Sequence, residues 1–259
     1  MADRVMPGPV DNTACIREAV CIHTRKIFDA CRDKDCIEDL RVYPTTTSQT
    51  YIDSALSVRA RSAELLYADV NVEAITFHNG YYTVDITYYY RITGETSPGG
   101  NTITGLAIFD KRVMLCGGVG TVKSFSSDPM AIAGEPDGLP IATVESVDPI
   151  ALNLKLVDTA YCVCPETVQP VIPANILARF GDTLVTTDTP KRLYVTLGQF
   201  SIIRLERDTQ LLIPAYDYCI PEKDCPGGSC QDDPCTIFSQ IRFPMEEFFP
   251  QDCSADDTQ

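Results

Sequence analysis

Cysteines are the residues of this chain with the most evident chemistry. Twelve occur among 259 residues, and nine of them lie in the first forty or the last forty-one. Thiols can form disulfides, bind soft metals or exchange electrons, so each of these uses must be weighed. The candidates for disulfides or cross-links are Cys15, Cys21, Cys31, Cys36, Cys162, Cys164, Cys219, Cys225, Cys230, Cys235 and Cys253.

Metal binding is the first alternative to disulfides. Structural zinc sites favour two cysteines with two to four residues between them. Three pairs here have four intervening residues: Cys31/Cys36, Cys225/Cys230 and Cys230/Cys235. Cys162 and Cys164 are closer, but no second pair accompanies them. A metal- or ligand-binding module with reduced cysteines therefore stays open as an alternative, although we expect neither a bound metal nor a cofactor.

No catalytic motif accompanies the cysteines. The two histidines, His23 and His78, lack a supporting motif, and we expect that neither belongs to a catalytic triad. Several acidic residues follow Cys31, but a calcium loop of the EF-hand type would need a central glycine among them. We expect these acids to form a solvated charged turn: Asp33, Asp35, Glu38 and Asp39. The sequence therefore predicts a protein that is not an enzyme.

The charge and the hydropathy of the chain exclude further functional classes of protein. The formal net charge is −15, and no basic cluster suited to nucleic acid is present. No apolar run reaches the length of a membrane span, and the first residues lack a signal-peptide pattern. We therefore expect synthesis in the cytoplasm, where disulfides are rare. That expectation conflicts with the high cysteine content.

The middle of the chain has the two-residue period of β-strands. Apolar and polar residues alternate over 68–74 and 81–92, and Asn79-Gly80 between them suits a hairpin turn. We predict strand in most of 68–76, 81–92, 103–109 and 192–204. We expect a turn at Asp110-Lys111, between strands at 102–109 and 112–125. Segments 192–206 and 209–216 are predicted to be two separate strands.

The fold class that follows is mainly β, with a sandwich-like β core between cysteine-rich N- and C-terminal segments. We expect an N-terminal segment over 1–50, a core over 51–216 and a C-terminal arm over 217–259. A loop or internal boundary is expected at 126–140. Helix is expected only over about 15–30 and, as a short piece, within 172–182.

Four aromatic residues are candidates for assembly contacts. Tyr81 and Tyr89 project from the face of their predicted strand opposite to its apolar side. Phe248 and Phe249 stand side by side in an otherwise polar arm. Because apolar side chains gain free energy when they leave water, we predict that the arm packs against a neighbouring surface.

Segments 27–43 and 216–228 resemble cysteine-rich proteins of clostridia-type, spore-forming bacteria. The order of a cysteine-rich start, a β middle and a cysteine-rich end is similar there, and the β region resembles domains of spore-coat assembly proteins. The resemblance implies synthesis in a mother-cell cytoplasm and later oxidation on the spore surface. We therefore expect a structural protein that self-assembles, with copies of itself and other coat proteins as partners.

Overall fold

The structure is a computed structural model that describes residues 20–120, 138–158, 169–213, 238 and 241–248. Its strands are β1 (Val20–Pro44), β2 (Ser57–Ala74), β3 (Tyr81–Ser97), β4 (Thr102–Cys116), β5 (Ile141–Ser146), β6 (Ile150–Asp158) and β7 (Lys191–Ile213). The helices whose bounds lie within the described residues are short: α1 (Thr46–Ser54), α2 (Ala174–Leu177) and α3 (Met245–Phe248). The predicted mainly β fold is confirmed.

All seven strands belong to one antiparallel sheet in the order β2-β3-β4-β1-β7-β5. β6 also pairs with β7, next to β5 on the same side, so that β5 and β6 act as one interrupted strand. At the opposite edge, β2 comes back against β6. The backbone N–H of Leu65 in β2 donates a hydrogen bond of 2.8 Å to Oδ1 of Asp148, which lies between β5 and β6. The sheet therefore almost closes on itself.

The sheet continues from β4 to β1 through a short pairing. Backbone pairing between these two strands covers residues 42–44 and 105–107. Gly105 makes this close approach possible, because an added Cβ would lie 2.7 Å from Cγ1 of Val42 and 2.8 Å from the carbonyl oxygen of Tyr43. Two layers result, β2-β3-β4 and β1-β7 with β5 and β6, and their inward side chains form the core.

The alternation of β3 builds one wall of this core. Tyr82, Val84, Ile86, Tyr88 and Tyr90 all point inward and are buried. The predicted hairpin is also present, since the chain turns between Ala74 and Tyr81 and β2 pairs with β3. The strands predicted at 68–76, 81–92, 103–109 and 192–204 are confirmed, apart from the last two residues of the first.

Three local predictions are wrong. The chain does not turn at Asp110-Lys111, because β4 continues unbroken through both residues. β7 is likewise one strand rather than two. The helix predicted over 15–30 is a strand from residue 20 onward, where β1 pairs with β7 along most of its length. Tertiary pairing outweighs the local helical pattern there; residues 15–19 lie outside the described residues.

The predicted short helix within 172–182 is present as α2, and Gly181 after it has a φ of +64°. Glycine is suited to that left-handed conformation because it has no Cβ. Of the loop predicted at 126–140, residues up to 137 lie outside the described part of the chain.

Candidate functional site

A polar cluster lies between the two layers, at positions where the strands point inward. Asp33 and Asp35 stand two residues apart on β1 and therefore share one face. Across the ladder on β7, Asp33 pairs with Ser201 and Asp35 with Gln199. Lys111 enters from β4, in the inward row of that strand. The cluster thus takes its members from strands that are distant in sequence and adjacent in the sheet.

Lys111 contacts both acids of β1. Its Nζ forms an ion pair with the carboxylate of Asp33 and lies 2.5 Å from Oδ2 of Asp35. The side chains of Lys111, Asp33 and Asp35 are 9%, 5% and 17% exposed, respectively. One amine and two carboxyl groups are therefore held together in a site from which water is largely excluded.

Tyrosines of β3 close the cluster from the other layer. The Tyr90 hydroxyl donates a hydrogen bond to Oε1 of Gln199. Tyr88 stacks on Tyr90 and on Phe109, with ring centroids 6.0 and 6.2 Å apart. Tyr88 and Tyr90 are fully buried. The acids and the amine thus sit against aromatic rings rather than bulk solvent.

Burial shifts the protonation equilibria toward the uncharged forms. Loss of hydration raises the pKa of Asp35 to about 6 and lowers the pKa of Lys111 to about 8. Burial also raises the pKa values of the Tyr88 and Tyr90 phenols, so both remain protonated. The site therefore disfavours the charged forms of both Asp35 and Lys111.

The sequence analysis assigned Asp33 and Asp35 to a solvated charged turn, and this is wrong. Both lie in the middle of β1, facing inward. The missed signal was in β4, where Lys111 interrupts an inward row that includes Phe109 and Val113. A charged residue within such a row indicates a buried partner of opposite charge.

Cys31 and Cys36 do not form a local staple. They lie five residues apart on one continuous strand, in register with Ile203 and Gly198, which places their Cα atoms about 17 Å apart. A disulfide needs about 4.4–6.8 Å. Each of the two is nevertheless disulfide-bonded, and Cys116 is a free thiol. Cys31 and Cys36 are therefore bonded neither to each other nor to Cys116.

The remaining candidate cysteines fall outside this part of the chain. For Cys21 the structure describes the backbone in β1 but not the side chain. The others lie wholly outside the described residues: Cys15, Cys162, Cys164, Cys219, Cys225, Cys230, Cys235 and Cys253.

Part of the C-terminal arm packs on the outer face of β1 and β7. The ring of Phe238 is buried over Gly198 and 4.7 Å from the Phe200 ring, measured between centroids. Lys34 of β1 donates a hydrogen bond of 2.9 Å to the carbonyl oxygen of Ile241. We name this contact region, around Lys34, Phe200 and Phe238, the arm dock.

The candidate assembly aromatics occupy different settings. Phe248 stacks on Phe243, which in turn contacts Phe200 in the arm dock, while Phe249 lies outside the described residues. Tyr81 is 45% exposed. Tyr89 is buried on the outside of the sheet by the segment around α2, in a cluster with Leu66, Leu106, Ile176 and Leu184. Tyr81 and Phe248 therefore remain the more accessible of the candidates that the structure describes.

The two histidines are exposed, His23 on β1 and His78 in the turn between β2 and β3. Among the residues that the structure describes, no group of three or more His, Cys, Asp or Glu side chains is arranged to hold a metal ion. Within the same ranges, no helix is long and apolar enough to cross a membrane.

Comparison with known proteins gives a match over most of the chain. The chain is 25% identical over 249 residues to Exosporium protein A of Clostridium sporogenes (strain ATCC 15579). The match covers 92% of this chain and 77% of that protein. No protein-family model matches the chain, and no solved structure matches it. The similarity therefore extends over nearly all of this chain.

Proposed function

We propose that this protein is a non-enzymatic structural component of the spore surface. The observation that carries the proposal is the similarity, over 92% of the chain, to a clostridial protein named for the exosporium. The fold agrees with such a role, since a nearly closed sheet with a packed interior gives a durable body. The chain would be made in the cytoplasm of the mother cell and then deposited on the spore.

The cysteine-rich ends supply the cross-links in this proposal. Cys36 stands on the outer face of β1, in register with Gly198, where the Phe238 ring packs. Cys235 precedes Phe238 by three residues, a distance that about 10 Å of extended chain can span. We assign Cys235 as the partner of Cys36, so that one disulfide fastens the C-terminal arm to the body.

Other cysteines then connect chains. Of the twelve cysteines, Cys116 is a free thiol, which leaves eleven. An odd number cannot pair completely within one chain, and an unpaired cysteine in an oxidising setting favours an intermolecular bond. Self-assembly and attachment to other coat proteins follow, with exposed aromatics such as Tyr81 and Phe248 as contacts.

Location is the first test of the proposal. Antibodies raised against the purified full-length chain are applied to intact spores and to sporulating cells of the source organism, and the label is counted by immuno-electron microscopy. We expect label on the outer spore layers, with spores of a deletion strain as the control. Label confined to the cytoplasm of vegetative cells would reject the proposal.

A further inference from the structure

We propose that Lys111 and Asp33 form an intramolecular amide bond that covalently ties β4 to β1 inside the core. The proposal rests on direct contact between the amine and a carboxyl group, a second carboxyl group beside them, and the exclusion of water. It is independent of the proposed function, since a chain located elsewhere could form the same bond.

Contact between the reacting groups is the first requirement. The ion pair already holds Nζ of Lys111 against the Asp33 carboxylate. Rigid strands supply both side chains, so little orientation remains to be gained before reaction. Such intramolecular positioning corresponds to effective concentrations of about 10⁵–10⁸ M.

Correct protonation is the second requirement, because the reactive pair is a neutral amine and a neutral carboxylic acid. A proton moving from the Lys111 ammonium to Asp33 produces that pair without any uptake from solvent. Burial favours this uncharged arrangement, and it lowers the pKa of Lys111 to about 8. In water the charged pair would dominate and would not condense.

A general acid–base group is the third requirement, and Asp35 occupies the right place. Its Oδ2 lies 2.5 Å from Nζ of Lys111. The amine nitrogen attacks Cγ of Asp33, and the Asp35 carboxylate accepts a proton from the nitrogen. Asp35 then gives that proton to the departing hydroxyl group as the C–O bond breaks. One amide bond forms, one water molecule leaves, nothing is oxidised, and Asp35 is restored.

The chain contains its own negative control. Lys155 lies 2.7 Å from Oδ1 of Asp39, but the two side chains are 49% and 55% exposed. That pair has contact without burial. It should stay an ordinary ion pair, which separates the effect of the enclosed site from that of contact alone.

The test is mass spectrometry of the full-length chain after purification, reduction and denaturation. We expect the intact mass to be one water molecule below the sequence mass. Because Asp137-Gly138 can also lose water by forming a succinimide, the bond is located by tryptic mapping. We expect no cleavage at Lys111, and a branched peptide in which residues 33–34 are attached to residues 92–112 through Lys111.

Three variants test the roles of the individual residues in bond formation. Lys111→Arg keeps the cation but not the nucleophile, and should have the full sequence mass at this site. Asp35→Asn keeps both reacting groups and should slow bond formation by about 10²–10⁴-fold. Lys155→Arg should form the bond as the native chain does. Circular dichroism of each variant reports whether the fold is kept.

Several outcomes would overturn the proposal. A native chain of full sequence mass that is cleaved normally at Lys111 contradicts it without reference to any variant. A branch at Asp35 instead of Asp33 refutes the assignment of the two acids. Unchanged bond formation in Asp35→Asn refutes the acid–base role. None of these results depends on where the protein resides, so they leave the proposed spore location to its own test.

Discussion

Lys111 is the central residue of the buried polar cluster, because it contacts both acids. It carries the positive charge that faces Asp33 and Asp35, and all three side chains are largely shielded from water. Replacing one partner of a buried ion pair leaves an uncompensated charge, which commonly costs about 3–5 kcal/mol. Taking each charged group out of water also costs several kcal/mol, so the buried pair by itself is weak evidence for a stabilising role.

The protonation of Asp35 gives a prediction at the residue scale. Its carboxyl group faces Lys111 of β4, Asp33 of its own strand, and the tyrosines Tyr88 and Tyr90 of β3. We expect a carbon-13 NMR titration to give Asp35 a pKa near 6, because burial disfavours the carboxylate. Amide formation at Lys111 would not remove this cause.

A second aspartate serves as the control for that titration. Asp85 lies on β3 and accepts hydrogen bonds from Arg112, which lower its pKa below the ordinary value. The two aspartates should thus shift in opposite directions. An Asp35 resonance that titrates near pH 4, like that of an exposed acid, would contradict the buried placement.

The raised pKa of Asp35 determines how this residue's contribution to the free energy of unfolding changes with pH. The folded pKa of Asp35 lies above the unfolded value of 3.8, so the folded state binds this proton more tightly. The associated stabilisation is complete below about pH 4 and is lost as the pH rises through 6. At 1.36 kcal/mol per pKa unit, it is on the order of 3 kcal/mol.

At the scale of elements, the joint between β1 and β4 holds the two layers together. An alanine at position 105 would bring its Cβ within 2.8 Å of backbone, at Tyr43, and within 2.7 Å of Val42. Backbone at such a joint cannot move without disturbing the pairing on either side. We therefore expect Gly105→Ala to lower the free energy of unfolding by about 1–3 kcal/mol in denaturant titrations.

Thr102→Ala is the matched control for that variant. It lies on the same strand but is exposed, so its effect should stay within about 0.5 kcal/mol. Equal stabilities of Gly105→Ala and Thr102→Ala would mean that the close approach of β1 and β4 does not exist in solution.

The arm dock gives another prediction for an element. Phe238 is 1% exposed over Gly198, and truncation of a buried phenylalanine costs about 3–5 kcal/mol. We expect Phe238→Ala to release the arm, so that limited proteolysis under reducing conditions cuts within 217–259 much faster than in the native chain. Phe77→Ala, at a ring that is 92% exposed, should leave the cleavage rate unchanged. Equal rates in both variants would show that the arm is not held there.

The strands differ in how well the sequence predicts them. β3 was predictable because its inward residues are apolar and its outward residues are mostly polar. The strand around Asp33 was not predictable, because Arg32 and Lys34 make its other face polar as well. No alternation of apolar and polar residues is therefore visible there. The site itself also needs the contact between Asp35 and Lys111, which are 76 residues apart. Local patterns carry no information on such a contact.

At the scale of the whole molecule, the fold separates the groups proposed to form an amide bond from a cysteine proposed to form a disulfide. The interior holds the amine and the acids, whereas Cys36 faces outward beside the arm dock. The net charge of −15 favours mutual repulsion between chains in solution. In the proposed function, cross-links that form only after oxidation would delay assembly until after the chain has been made and folded.

Extraction of the spore surface tests the central claim most directly. Surface material from purified spores is separated by gel electrophoresis with and without reductant, and the chain is detected by antibody. We predict high-mass species that collapse to the single chain only on reduction. The pattern should change in Cys225→Ser spores and stay the same in Thr102→Ala spores, because Thr102 is exposed and carries no thiol. A single chain under both conditions, with a monomeric mass in solution, would contradict cross-linked assembly.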